Sequence, residues 1–171
     1  MLHRWIAVGV ALLLPVAASA ALGKKHLGTE PVGPVILTIS GKIEGVGSGP
    51  VVKLDRAMLE SLGVTKLKTS TAWTSGESVF EGVLARDLLD AVGAQGTVVV
   101  ATALNDYVTS IPLREFYDYP VMLAFKMDGR NLEVKDKGPI WIVYPRDQHP
   151  ELQNSMADKN WVWQLSNLEV R

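Results

Sequence analysis

The chain has 171 residues, a formal charge of −1 at pH 7 and no cysteine. So even a charge balance lacks the clustered basic excess that phosphate backbones demand, and nucleic acid is not an expected partner. Without cysteine there are no thiol nucleophiles, thiolate zinc sites, iron–sulfur clusters or disulfides, so the core alone must hold the fold.

The chain opens with His3 and Arg4, a short apolar run and then Ala18-Ser19-Ala20. A basic start, an apolar centre and small residues at a cut site predict a secretory signal peptide over 1–20, cleaved after Ala20. The run is too short to span a bilayer comfortably. No second long apolar run follows, which predicts a soluble mature protein. Residues 21–33 mix Gly, Lys, Thr and Pro without period and read as a flexible leader. That leaves 34–171 as a single domain.

The domain begins with a β-branched strand over 35–43, with Gly41 as a bulge. A glycine-rich loop follows. Asp55 is placed to cap a helix, with Leu54 and Leu59 as its hydrophobic staple and Gly63 as its stop. Residues 64–72 read as a strand that leads into Trp73. A turn at Ser75-Gly76 precedes a short strand over 79–83. A second helix over 84–92 puts Leu84, Leu88, Leu89 and Val92 on one face and ends at Gly93. Residues 97–103 form the clearest buried strand, and 108–111 resume one after Asn105-Asp106-Tyr107. A helical turn is expected over 112–117. Asp128-Gly129 marks a hairpin between 121–127 and 131–134. Residues 140–144 are an apolar strand, 150–154 a short helix and 161–171 a closing strand. The expected class is α+β, with mixed sheets and a few short helices.

Most catalytic patterns are missing. There is no G-x-S-x-G elbow, and His149 is the one histidine beyond the leader. Asp147-Gln148-His149-Pro150-Glu151 reads as a solvated loop, because zinc needs three or four converging ligands. No pair of carboxylates is marked out, and no phosphate loop occurs.

Two segments stand out instead. Asn105-Asp106-Tyr107 and Tyr144-Pro145-Arg146-Asp147 each follow an apolar strand directly, where pockets gather in mixed sheets. Each sets an aromatic ring beside a carboxylate. With Trp73, Trp141, Trp161 and Trp163 they offer stacking faces and hydrogen-bond partners for a flat heterocycle. The plainer readings stand beside this one. Asp106 caps a turn, Arg146 and Asp147 form a surface pair, and Trp141, Trp161 and Trp163 are core, the last two alternating on one strand face.

The motifs F-E-G-V-L-A-R-D-L-L-D-A-V-G, A-T-A-L-N-D-Y-V-T-S-I-P-L, V-M-L-A-F-K-M-D-G-R-N-L and K-G-P-I-W-I-V-Y-P occur in that order. Together they resemble the sulfite-oxidase-type molybdopterin-binding domain, over about 35–171. The resemblance implies an α+β fold with mixed sheets around a pterin cleft. It also implies a metal-binding cysteine just before F-E-G-V and an arginine near the Gly-Pro turn to hold the cofactor phosphate. Here the first segment is T-S-T-A-W-T-S-G, and Trp141 stands near the second position. Neither hydroxyl nor indole replaces a soft thiolate.

The chain therefore looks closer to small exported members of this fold that bind a pterin without molybdenum. Some of those act as periplasmic sensors on an inner-membrane protein of cyclic-di-GMP signalling. In that reading Trp73 walls the ring, and Asn105, Asp106 and Asp147 read its edge. Tyr107, Trp141, Tyr144 and Arg146 line the cleft, and Lys137 meets an anionic tail. Two alternatives stand beside it: an oxidoreductase that holds a molybdenum cofactor by its pterin alone, and a ligand-free interaction module.

Overall fold

The structure is a computed structural model and describes residues 27–45 and 50–171. The expected signal peptide and the first part of the leader lie outside the described residues. So does the middle of the glycine-rich loop.

The strands are β1 (Leu37–Gly41), β2 (Val51–Leu54), β3 (Thr65–Ser70), β4 (Glu77–Leu84), β5 (Val98–Ala103), β6 (Val108–Pro112), β7 (Met122–Met127), β8 (Arg130–Asn131), β9 (Trp141–Val143) and β10 (Leu165–Val170). The helices are α1 (Arg56–Glu60), α2 (Ala85–Ala91), α3 (Glu115–Asp118) and α4 (Ser155–Asp158). Short 3₁₀ turns cover Val134–Asp136, Arg146–Gln148 and Pro150–Leu152. The α+β expectation holds.

The strands form two sheets. The first runs β2-β1-β10-β5-β6, and the second runs β3-β4-β7-β8 with β9 also paired to β7. Among the described strands only β1 and β10 pair in parallel, and the other neighbours are antiparallel. Alternation sets the faces: Leu37 and Ile39 point one way from β1 and are fully buried. Leu123, Phe125, Ile142, Leu88 and Leu59 join the same core.

Local chemistry explains the elements that were anticipated. The Asp55 carboxylate accepts from the Met58 amide at 2.9 Å, capping α1,. Asp128 and Gly129 both have positive φ, as the tight β7–β8 turn requires,. Gly82 lets β4 approach β7, for a Cβ there would strike the Leu123 carbonyl oxygen and lie 2.7 Å from Ala124 Cα.

Three expectations need correction. The end of the leader is held rather than free. Leu27 is buried, and the Val32 and Gly33 amides each donate to Asp55 Oδ2 at 2.8 Å. The expected helix over 150–154 is a 3₁₀ turn, and the real helix, α4, follows it. Asn154 caps α4 by accepting from the Met156 and Ala157 amides. The closing strand starts at Leu165, not at Trp161, because Gln164 has a left-handed backbone (φ 53°) that breaks the extended run.

That break has a structural use. Ile142 donates to the Val162 carbonyl and Leu165 to the Ile140 carbonyl, tying residues 161–165 to the β9 segment of the second sheet. Leu104 donates to the Gln164 carbonyl, which ties the same residues to the end of β5 in the first sheet. The segment therefore stitches the two sheets together, and the site lies against it.

Candidate functional site

Four of the five tryptophans gather at this junction. Trp73 is the hub. Its ring centroid lies 5.3 Å from Trp163, 5.8 Å from Trp161 and 6.3 Å from Trp141. The tilted and edge-on arrangements suit the ring quadrupoles. Trp141 and Trp161 are buried, while Trp73 remains 38% exposed.

Trp73 is presented by a short, self-bonded loop after β3. The Thr71 hydroxyl oxygen accepts from the Trp73 amide at 3.0 Å and pairs with the Thr74 hydroxyl at 2.9 Å. Gly76, at φ 68°, turns the chain back into β4. At the base of the loop, the Ser70 amide and hydroxyl both donate to the Asp147 carboxylate. The Asp147 amide donates in turn to the Thr69 hydroxyl oxygen at 3.2 Å.

Beside this cluster opens a cleft of about 300 Å³. Its floor and walls are Trp73, Trp161, Val162 and Trp163, and Asn105 and Tyr107 face them from the β5–β6 turn. Ser155, Asp158 and Lys159 close it from α4 and the residue beyond. The volume is at the small end of ligand sites, and a few polar groups in an apolar lining is their usual chemistry. The Tyr107 hydroxyl donates to the Lys159 carbonyl at 2.9 Å, clamping the two rims together.

The junction also leaves polar atoms without partners. Trp141 Nε1, Trp161 Nε1, Arg146 Nε and Asp158 Oδ1 are all buried and make no hydrogen bond. Arg146 Nε and Asp158 Oδ1 face each other at 3.8 Å, an ion pair too long to be a hydrogen bond,. Native interiors leave few such groups, so four at one junction call for an explanation.

Of the residues singled out from sequence, Trp73, Asn105 and Tyr107 line the cleft. The rest are placed otherwise. Asp106 is exposed at the tip of the β5–β6 turn, at φ 64°, with its amide donating to the Ala103 carbonyl. It shapes the turn and does not line the cleft. Trp141 is fully buried beneath Trp73, packed edge-on against Phe80 at 5.5 Å. Tyr144 is buried too, and its hydroxyl donates to Glu115 Oε2 at 3.1 Å. Burial and the Glu115 carboxylate push its phenol well above the ordinary range. The Asp147 carboxylate is taken up by Ser70. Arg146 stands behind Asp158. Lys137 Nζ sits 5.5 Å from the Trp141 ring and 5.7 Å from the Trp163 ring, a cation–π position at the edge of the cluster,.

Sequence reasoning missed Ser155, Asp158 and Lys159; Trp161 and Trp163, offered both as stacking faces and as core of a strand, line the cleft from outside any strand. The signal that could have found the first group is Asn154-Ser155, an N-cap pair opening a helix that ends at the cleft.

A second groove, of about 350 Å³, is lined by Glu115, Asp118, Tyr119, Glu151 and Asn160 among others. Two of its carboxylates already have partners. Asn160 donates to Glu115 Oε2, and His149 Nδ1 lies 3.3 Å from Glu151 Oε1.

The donor set does not fit a molybdenum centre. The loop over 71–76, where the resemblance places a cysteine, carries hydroxyls already bonded within the protein. Among the described residues no three His, Cys, Asp or Glu side chains converge to hold a metal. The cleft does fit the organic part of such a cofactor, a flat heterocycle with a polar edge.

An aromatic cleft at the seam of two sheets, with unsatisfied buried polar atoms near it, is the site that this α+β domain presents. The comparisons then identify the lineage. The family described as "Oxidoreductase molybdopterin binding domain" matches residues 55–148, and the chain belongs to that family. Among solved structures, the chain is similar to the sulfane dehydrogenase SoxCD from Paracoccus pantotrophus. The likeness has 22% identity and a TM-score of 0.57, and it covers 78% of this chain and 37% of that one. The chain thus shares the sulfite-oxidase-like fold while spanning well under half the length of that neighbour's chain. No curated protein matches the sequence.

Proposed function

We propose that the protein binds a pterin in the periplasm without molybdenum, and that it passes occupancy to an inner-membrane protein of cyclic-di-GMP signalling. The observation that carries the pterin reading is the cleft itself, a tryptophan-walled space that also presents Asn105, Tyr107 and the Asp158 carboxylate. A pterin has two aromatic faces for Trp73 and its neighbours and a polar edge for those polar groups. Family membership supports a pterin-type ligand, and the donor set of the 71–76 loop argues against the metal. The location rests on the signal-peptide pattern. The partner rests on the resemblance to exported sensors of this fold.

The test is purification of the mature protein from its native compartment, followed by extraction for fluorescent pterins and elemental analysis. Bound pterin without stoichiometric molybdenum is expected. No pterin, together with no binding of added reduced pterins, overturns the reading. Stoichiometric molybdenum would instead support the oxidoreductase alternative. For the signalling half, deleting the gene should change cellular cyclic-di-GMP, and an unchanged level refutes it.

A further inference from the structure

We infer that Asp158 is the residue that selects the ligand, by accepting the adjacent N–H and amino donors of its ring edge. The inference rests on the pterin reading and moves the edge-reading role away from Asp106 and Asp147. Three observations carry it. Asp158 is the one carboxylate among the residues that line the cleft, where every other lining side chain is aromatic, apolar, neutral or, in Lys159, cationic. Its Oδ1 is buried and turned to Arg146, while the side chain as a whole keeps 21% of its surface exposed, so a ligand meets the carboxylate from its exposed side. Its ion-pair partner, Arg146, stands at 3.8 Å with an equally unsatisfied Nε.

A desolvated carboxylate without hydrogen bonds is costly unless something completes it. Arg146 supplies charge from behind but no bond. A donor edge supplied by the ligand bonds the exposed side of the carboxylate, while Oδ1 keeps the Arg146 charge to balance it. A carboxylate has only acceptors, so it rejects an edge that presents a carbonyl in place of an amino group. The structure thus specifies a flat ring bearing two neighbouring N–H donors, stacked among Trp73, Trp161 and Trp163. The other candidate carboxylates are unavailable or misplaced, because Asp147 is engaged by Ser70 and Asp106 stands outside on the turn.

The experiment titrates the mature protein with two parent heterocycles, following tryptophan fluorescence. One is pterin, with an exocyclic amino group beside a ring N–H. The other is lumazine, with a carbonyl in place of that amino group. Wild type should prefer pterin by roughly tenfold to a hundredfold, the range for hydrogen bonds to a charged group. Asp158→Asn should lose most of that preference, weakening pterin while leaving lumazine within about threefold, since an amide can both donate and accept. A wild type that binds both alike overturns the assignment and leaves the pterin reading standing. Equal losses for both ligands in Asp158→Asn, or none for either, also overturn it. If that variant does not fold, the wild-type ratio alone decides. A wild type that binds neither heterocycle nor any reduced pterin overturns the pterin reading and the assignment together.

Discussion

Replacing Trp73 with alanine removes the hub of the tryptophan cluster. The ring makes three aromatic contacts, at 5.3, 5.8 and 6.3 Å. Favourable aromatic pairs are each worth about 0.5–1.5 kcal/mol beyond buried area. Three such pairs, discounted because the ring is 38% exposed, give a loss of about 2 kcal/mol. With a urea dependence of about 2 kcal/mol per molar for a domain of this size, the midpoint should fall by about 1 M. Far-UV circular dichroism should follow the transition, since the mutation itself alters tryptophan fluorescence. A double-mutant cycle sharpens the point. The Trp73–Trp163 contact is the shortest of the three and nearly perpendicular, at 83°. Alanine at both positions, compared with each alone, should return a coupling of about 1 kcal/mol. A coupling under about 0.3 kcal/mol would show that the rings lie near each other without holding each other. It would remove the argument that a preformed aromatic wall awaits a ligand.

Two further outcomes follow from features away from the cleft. Asp55 is held below the usual carboxylate range, first by the Met58 amide and then by the Gly33 amide, so its charged form is favoured in the folded state. The stability this brings is present above the unfolded carboxylate pKa of about 3.9 and is lost as pH falls through the lower folded value. Asp55→Asn should therefore flatten the acid limb of the Tm–pH curve relative to wild type, and parallel limbs would refute the link. Gly82→Ala should prevent stable folding, or lower Tm by more than about 10 °C, because β4 and β7 leave no room for a Cβ,. A variant that melts within a few degrees of wild type would contradict that close approach.

Much of the fold could be read from the sequence because punctuation and periodicity agreed. Asp55, Gly63 and Gly93 bound their helices, and Asp128-Gly129 makes its turn, because each acts within a few residues. The site was less legible. Trp141 in I-W-I and Trp163 in W-V-W both carry the alternation of a strand, yet one is buried beneath the cluster and the other faces the cleft. What separates them is the backbone of Gln164, and a left-handed glutamine has no composition signal of its own. Tyr144 and Asp147 follow their strand as expected for a site, but Glu115 and Ser70, distant in sequence, claim their polar groups. Asp158 was missed because its helix is only four residues long, and an apolar period cannot be seen over so short a stretch,.

The placement of β10 bears on how the protein comes to be folded. This strand follows every other described strand in the chain, yet it lies between β1 and β5 in the first sheet. Until residues 165–170 emerge, β1 and β5 have no shared partner, and the first sheet is incomplete. Pairings so far apart in sequence form slowly. The first sheet would thus be completed only when the end of the chain has been made, after the pairings of the second sheet are possible. By the same logic the cleft is among the last features to appear, since it lies against the segment that joins the two sheets.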